Sequence, residues 1–230
     1  MKYRGNSGPV ARRISTASFA ILITLLFSSC INVVQYIGTT SDRRTEVSVT
    51  ATFNKAFHSL IVSESTDQSL DPLQIFASLD QRIHTAAGSL PSGALVESRK
   101  VDDQSQLGYQ YKFIYPRDTE GQLRGQKIFP AAFFPVKDNG TVTLDFSDIS
   151  PTAAVQESST ETNYAKIFLA SAEYQLIVSK SYFPHISEAL FVSDQERLRM
   201  TVTDLNDVYL LEMPLVDLIA GDGSKKIIIR

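Results

Sequence analysis

The sequence predicts an α+β domain, an antiparallel β-rich sheet or sandwich with a packed helix at about 72–87; a mainly β sandwich is the alternative. Three observations predict this. Short stretches in which apolar and polar residues alternate recur along the chain, as in half-buried strands. Turn residues separate them at short intervals. One segment alone combines helix start signals with apolar residues three and four apart. The composition agrees: 43% of the 230 residues are hydrophobic and 20% charged, which suits a packed core and excludes a disordered chain, a coiled coil or a collagen.

The elements follow in order. Glu46–Phe53 alternates, with Val47, Val49, Ala51 and Phe53 on one face and Ser or Thr on the other. Asp71-Pro72-Leu73-Gln74 is a helix start: Asp71 caps, Pro72 suits the first turn and Gln74 completes a capping box. Leu73, Phe76, Leu79, Ile83 and Ala86 then form the apolar stripe, and Gly88 and Pro91 end it. Ala94–Val101 and Tyr109–Tyr115 read as strands, the second stopped by Pro116. Lys127–Val136 is apolar and holds Pro130 and Pro135. Asn139-Gly140 is a hairpin turn, because both residues accept positive φ, and Thr141–Phe146 alternates again. The polar stretch 150–163 reads as a linker or long loop. Five strand candidates follow: Tyr174–Tyr182, Ala189–Val192, Leu198–Thr203, Val208–Met213 and Lys226–Ile229.

The N-terminus is built differently. Residues 1–13 carry Lys2, Arg4, Arg12 and Arg13 and no acid, and no further charge appears before Asp42. Inside that gap lies the apolar run Phe19–Phe27, followed by Ser28-Ser29-Cys30. A basic head, a short apolar centre and small residues before a cut form the plan of an export signal. Cys30, the single cysteine, stands where the cut would leave it first, and the chain has no internal disulfide.

On Phe27-Ser28-Ser29-Cys30 the chain resembles a bacterial lipoprotein precursor, with Phe27 in place of the usual Leu. The resemblance covers about the first thirty residues. It implies a diacylglycerol thioether on Cys30, cleavage before it and acylation, as with palmitate, of the new amine. It also implies sorting: Ile31 stands where Asp would favour retention in the inner membrane, so the outer membrane is expected, facing the periplasm or the cell surface. An uncleaved anchor over Ala17–Ile37, 21 residues without a charge, is the alternative. The expected division is therefore a signal peptide at 1–29, a lipidated N-terminus and tether at 30–45, and one exported β-rich domain at 46–230 that the linker at 150–163 divides or crosses. Loss of the four basic residues before Cys30 leaves 18 Lys and Arg against 25 acids, a charge of −7 that disfavours nucleic acid and anionic lipid as general partners.

Signals for chemistry are sparse. His58, His84 and His185 each lack a second His three or four residues away, so no local zinc site is spelled. G-x-S-x-G and phosphate-loop motifs are absent, and Ser92 and Ser224 sit in turns. Asp102-Asp103 and Asp204 with Asp207 lack the spacing of a calcium loop. No catalytic residue, metal or cofactor is expected. The candidate partner or ligand surface is aromatic: Tyr109, Tyr111 and Tyr115 on one strand, with Phe129, Phe133 and Phe134; core packing is the competing reading. These residues predict a membrane-anchored envelope lipoprotein with a non-catalytic binding or structural domain. Its partners would be the membrane, through lipid on Cys30, and an envelope protein or small apolar ligand. An envelope hydrolase with a site assembled across the fold, or a lipid carrier with an apolar cavity, are the alternatives.

Overall fold

The computed structural model describes residues 31–55, 90–92, 94–123, 127–128, 132–147, 172–219 and 223–230. Both segments of the expected helix and linker, 72–87 and 150–163, lie outside them. What is described is mainly β. The strands are β1 (Ile31–Thr39), β2 (Thr45–Asn54), β3 (Leu95–Asp102), β4 (Gln106–Tyr115), β5 (Lys127–Ile128), β6 (Ala132–Phe133), β7 (Val136–Asp138) and β8 (Thr141–Asp145). After residue 171 come β9 (Glu173–Ser179), β10 (Ala189–Ser193), β11 (Arg197–Arg199), β12 (Val202–Leu205), β13 (Val208–Pro214) and β14 (Lys225–Ile229). A 3-10 helix covers Arg117–Leu123, and one short α-helix, α1 (Leu215–Ile219), follows β13.

A seven-stranded sheet runs β12-β13-β9-β1-β2-β4-β3, and a five-stranded sheet runs β11-β10-β14-β8-β7. Each sheet draws strands from both sides of the polar stretch 150–163. The alternating residues of the first sheet point Ile37, Val47, Val49, Phe113, Leu176 and Val178 inward; the second contributes Val142, Leu144, Phe191, Ile227 and Ile229 to the same buried cluster. Phe146 and Tyr174 meet edge to face across it, centroids 5.7 Å apart.

The expected tether is wrong in one respect. Residues 31–39 form β1, and β1 lies in the middle of the larger sheet, antiparallel to β2 and parallel to β9. Its inward face is Val33, Gln35 and Ile37, all buried. Gln35 interrupts the apolar alternation, which is why the pattern does not read as a strand. The fully buried amide is met by the Tyr174 hydroxyl, which donates to Gln35 Oε1 at 3.1 Å. Residues 40–44 make the β1–β2 turn, where Arg43 takes φ 64° and the Thr40 N–H bonds the Arg44 oxygen at 2.9 Å.

Other local chemistry is obeyed. Asn139 (φ 46°) and Gly140 (φ 75°) close the β7–β8 hairpin, as their sequence predicts. Gly108 on β4 serves a different need: a Cβ there would lie 2.0 Å from the Ala51 carbonyl oxygen on β2. The expected strand Leu198–Thr203 is divided: the Met200 N–H still bonds the Ala189 oxygen at 2.9 Å, extending the β10–β11 pairing, and β12 starts at Val202 on the edge of the other sheet.

Candidate functional site

The larger sheet has two ends. Ile31, Phe53 and Leu107 are level at one, and Thr39, Thr45 and Tyr115 at the other. Because β1 starts at the first, the far end is about 26 Å away, eight residues at ~3.3 Å each. Two polar features lie toward the far end.

One is a buried carboxylate. The 3-10 helix after β4 turns Glu120 under the sheet, where it is 6% exposed. Its Oε1 accepts from the Thr45 hydroxyl at 2.5 Å and its Oε2 from the Tyr182 hydroxyl at 3.4 Å. Burial raises its pKa, opposed by the Thr45 bond, the Arg117 charge, the Tyr182 bond and the Lys137 charge. Lys137 lies 5.5 Å from the Tyr182 ring centroid and Arg117 5.7 Å. Burial, and then Arg117, lower the Lys137 pKa. The Tyr115 hydroxyl is buried beside them without a hydrogen-bond partner among the described residues, and desolvation pushes its pKa well up.

The other feature is a cavity of ≈ 490 Å³ between the loop after β9 and the β11–β12 edge. Its walls include His185, Glu188, Arg199, Met200, Asp204 and Tyr209. Tyr209 pairs with Val178, and Val178 with Ile37, which places the cavity about 20 Å along the sheet from Ile31. The Tyr209 hydroxyl donates to the Pro184 oxygen at 3.0 Å and so pins the loop that carries His185. Glu188 accepts from Arg230 at 2.5 and 2.8 Å; that bond is the main cause of its lowered pKa, with the charges of Arg199 and Arg197 adding to it. Asp204 pairs with Lys180 at 2.6 Å.

The predicted aromatic surface is largely core. Tyr111 and Tyr115 are fully or almost fully buried, and Phe134 is 5% exposed, edge-on to Phe113 and Tyr115 at 5.3 and 5.8 Å. Tyr109 is half-buried and stacks on Tyr111. Inward placement of the odd-numbered residues of β4 explains this: the same alternation that marks a strand buries its aromatic face. The side chain of Phe133, and Phe129 altogether, lie outside the described residues, as do Cys30, His58 and His84.

His185 does line a concave site. Among the described residues, however, its ring makes no hydrogen bond to a Ser or a carboxylate, and the nearby Ser187 hydroxyl donates instead to the Arg230 oxygen at 2.7 Å. Asp102 is held by Lys55 and Lys100, which bring its pKa down to about 2, and Asp103 accepts the Ser105 and Gln106 amides. No cluster of metal-ligating side chains occurs among the described residues, and no described helix is long and apolar enough to cross a membrane. Glu120, Tyr182 and Arg199 were not foreseen; only the pair Arg197 and Arg199 on one short strand gave any sign in the sequence.

No family model and no curated protein matches the chain. Among solved structures it is similar to the folded domain of the Mycobacterium tuberculosis LppM protein, determined by NMR. The two are 11% identical over 88% of this chain and 91% of that one, with a TM-score of 0.37.

Proposed function

We propose that the chain is a bacterial envelope lipoprotein. Residues 1–29 are its export signal, Cys30 carries its lipid, and the β-rich domain is a non-catalytic binding domain held outside the cytoplasm. The observation that carries this reading is the position of β1. An uncleaved anchor over Ala17–Ile37 would need residues that β1 holds inside a sheet. Between Arg13 and Ile31 only residues 14–30 remain. As a helix these seventeen residues reach about 26 Å, the shortest length that spans a hydrocarbon core of ~30 Å. Lipid on Cys30 needs no such length, because acyl chains hold by burying methylenes at ~0.8 kcal/mol each.

Binding is favoured over catalysis by the cavity: it is concave and rich in charge, while its serine is committed to a main-chain oxygen. The charged walls also fit a lipid carrier poorly. Ile31 after the cysteine favours the outer membrane, and the −7 charge disfavours nucleic acid.

The test is metabolic labelling with an alkyne palmitate, followed by detergent-phase partitioning. Wild-type chain should label, enter the detergent phase and begin at Cys30; Cys30→Ala should not label. A wild-type chain that takes up no label and enters the detergent phase with its start methionine would establish a transmembrane anchor instead.

A further inference from the structure

We propose that the cavity beside β11 binds a small soluble organic anion, a phosphate or carboxylate compound, through Arg199 and His185. The inference rests on the binding-domain reading and gives it a ligand class.

The argument is one of charge already committed. Two carboxylates face the cavity, and each has its cation: Arg230 on Glu188 and Lys180 on Asp204. The main-chain oxygen of Arg230 is likewise taken, by the Ser187 and Glu188 amides at 2.8 Å and the Ser187 hydroxyl. Arg199 lines the same cavity and, among the described residues, makes no ion pair within 4.0 Å. Arg197, two residues along the same strand, adds its charge near Glu188, so one carboxylate there faces three guanidinium groups.

The geometry suits a small molecule. The volume, ≈ 490 Å³, lies within the range of ligand pockets, ~300–1,000 Å³. A guanidinium offers paired donors to a phosphate or carboxylate, and a histidine N–H offers a third. Ile186, Met200 and Val202 supply apolar wall for the ligand's carbon part, and Tyr209 an aromatic one. The backbone beside His185 is fixed at Pro184 by the Tyr209 hydroxyl, which lessens the ordering that binding requires. Because the cavity is set back from the Ile31 end, the ligand is taken from solution and not from the bilayer that holds Cys30.

The test is a titration of the full-length chain in detergent with inorganic phosphate at fixed ionic strength, read from the ring signals of ¹³C-labelled histidine. Saturable movement of the His185 signal is expected. Arg199→Gln should weaken it at least about tenfold, and Arg197→Gln should change it by no more than about twofold. His185→Gln, on an exposed loop, is the second variant; with it, phosphate should raise the thermal midpoint less than in the wild type. Equal affinity in wild type and Arg199→Gln would overturn the proposal. So would no saturation by phosphate, including the case in which the chain responds only to phosphatidylglycerol vesicles. Palmitate labelling at Cys30 is read separately, so loss of one result leaves the other standing.

Discussion

Removing the Tyr174 hydroxyl tests how the middle of the sheet accommodates a polar side chain. Gln35 and Tyr174 are both fully buried, on adjacent strands 139 residues apart in sequence, and the bond between them is 3.1 Å long. Tyr174→Phe keeps the ring and its edge-on contact with Phe146 but leaves Gln35 Oε1 without that donor. Loss of one buried hydrogen bond costs ~1 kcal/mol net, and the tyrosine hydroxyl is the donor removed here. Gln35→Leu alone leaves the tyrosine hydroxyl stranded and should cost a similar amount. The double variant removes both polar groups, so it should be more stable than the sum of the two losses implies by at least ~1 kcal/mol. Urea unfolding of the four proteins, with equal slopes, measures the coupling. Strict additivity would show that the two side chains do not satisfy each other, and the account of Gln35 inside β1 would fall.

Three further outcomes follow from the structure. Burial raises the Glu120 pKa, so the folded state holds a proton that the unfolded state has released. Stability should therefore fall as pH rises from about 4.5 through the raised pKa. Glu120→Gln should flatten that slope between pH 4.5 and 8 and be at least as stable as wild type at pH 7.5; a steeper slope on urea unfolding would contradict the burial argument. Gly108→Ala should destabilise by ~1–3 kcal/mol or more, because the new methyl meets backbone that cannot step aside. At Gly140 nothing lies within 4 Å of an added Cβ, so Gly140→Ala should cost only the left-handed conformation, ~1–2 kcal/mol; thermal or urea unfolding ranks the two.

Much of the fold was legible because period-two alternation survives wherever one strand face is apolar: Glu46–Phe53, Tyr109–Tyr115 and Thr141–Phe146 are strands within a few residues of their expected ends. β1 was not legible, since one inward Gln broke the alternation and the turn residues behind it gave the segment the composition of a tether. The division between β11 and β12 was hidden for another reason: no Gly, Pro, Asn or Asp stands at Met200-Thr201 to mark it. The candidate site was less legible than the fold. Glu120 and Arg199 acquire meaning only from neighbours distant in sequence, Thr45 and Tyr182 for one, Glu188 and Arg230 for the other. Aromatic residues misled in the opposite direction, for the strand that gathers them turns them inward.

The parallel pairing of β1 with β9 sets a timetable for maturation. A chain made and delivered from its N-terminus presents β1 first, and β2 can join it at once through a short turn. The opposite edge of β1 stays open until residues 173–178 arrive. Contacts this far apart in sequence form slowly, and an unfilled strand edge invites pairing with other chains in the meantime. A nascent molecule would thus spend its most vulnerable interval with a half-built sheet beside its Cys30, and a holding chaperone would be needed most during that wait.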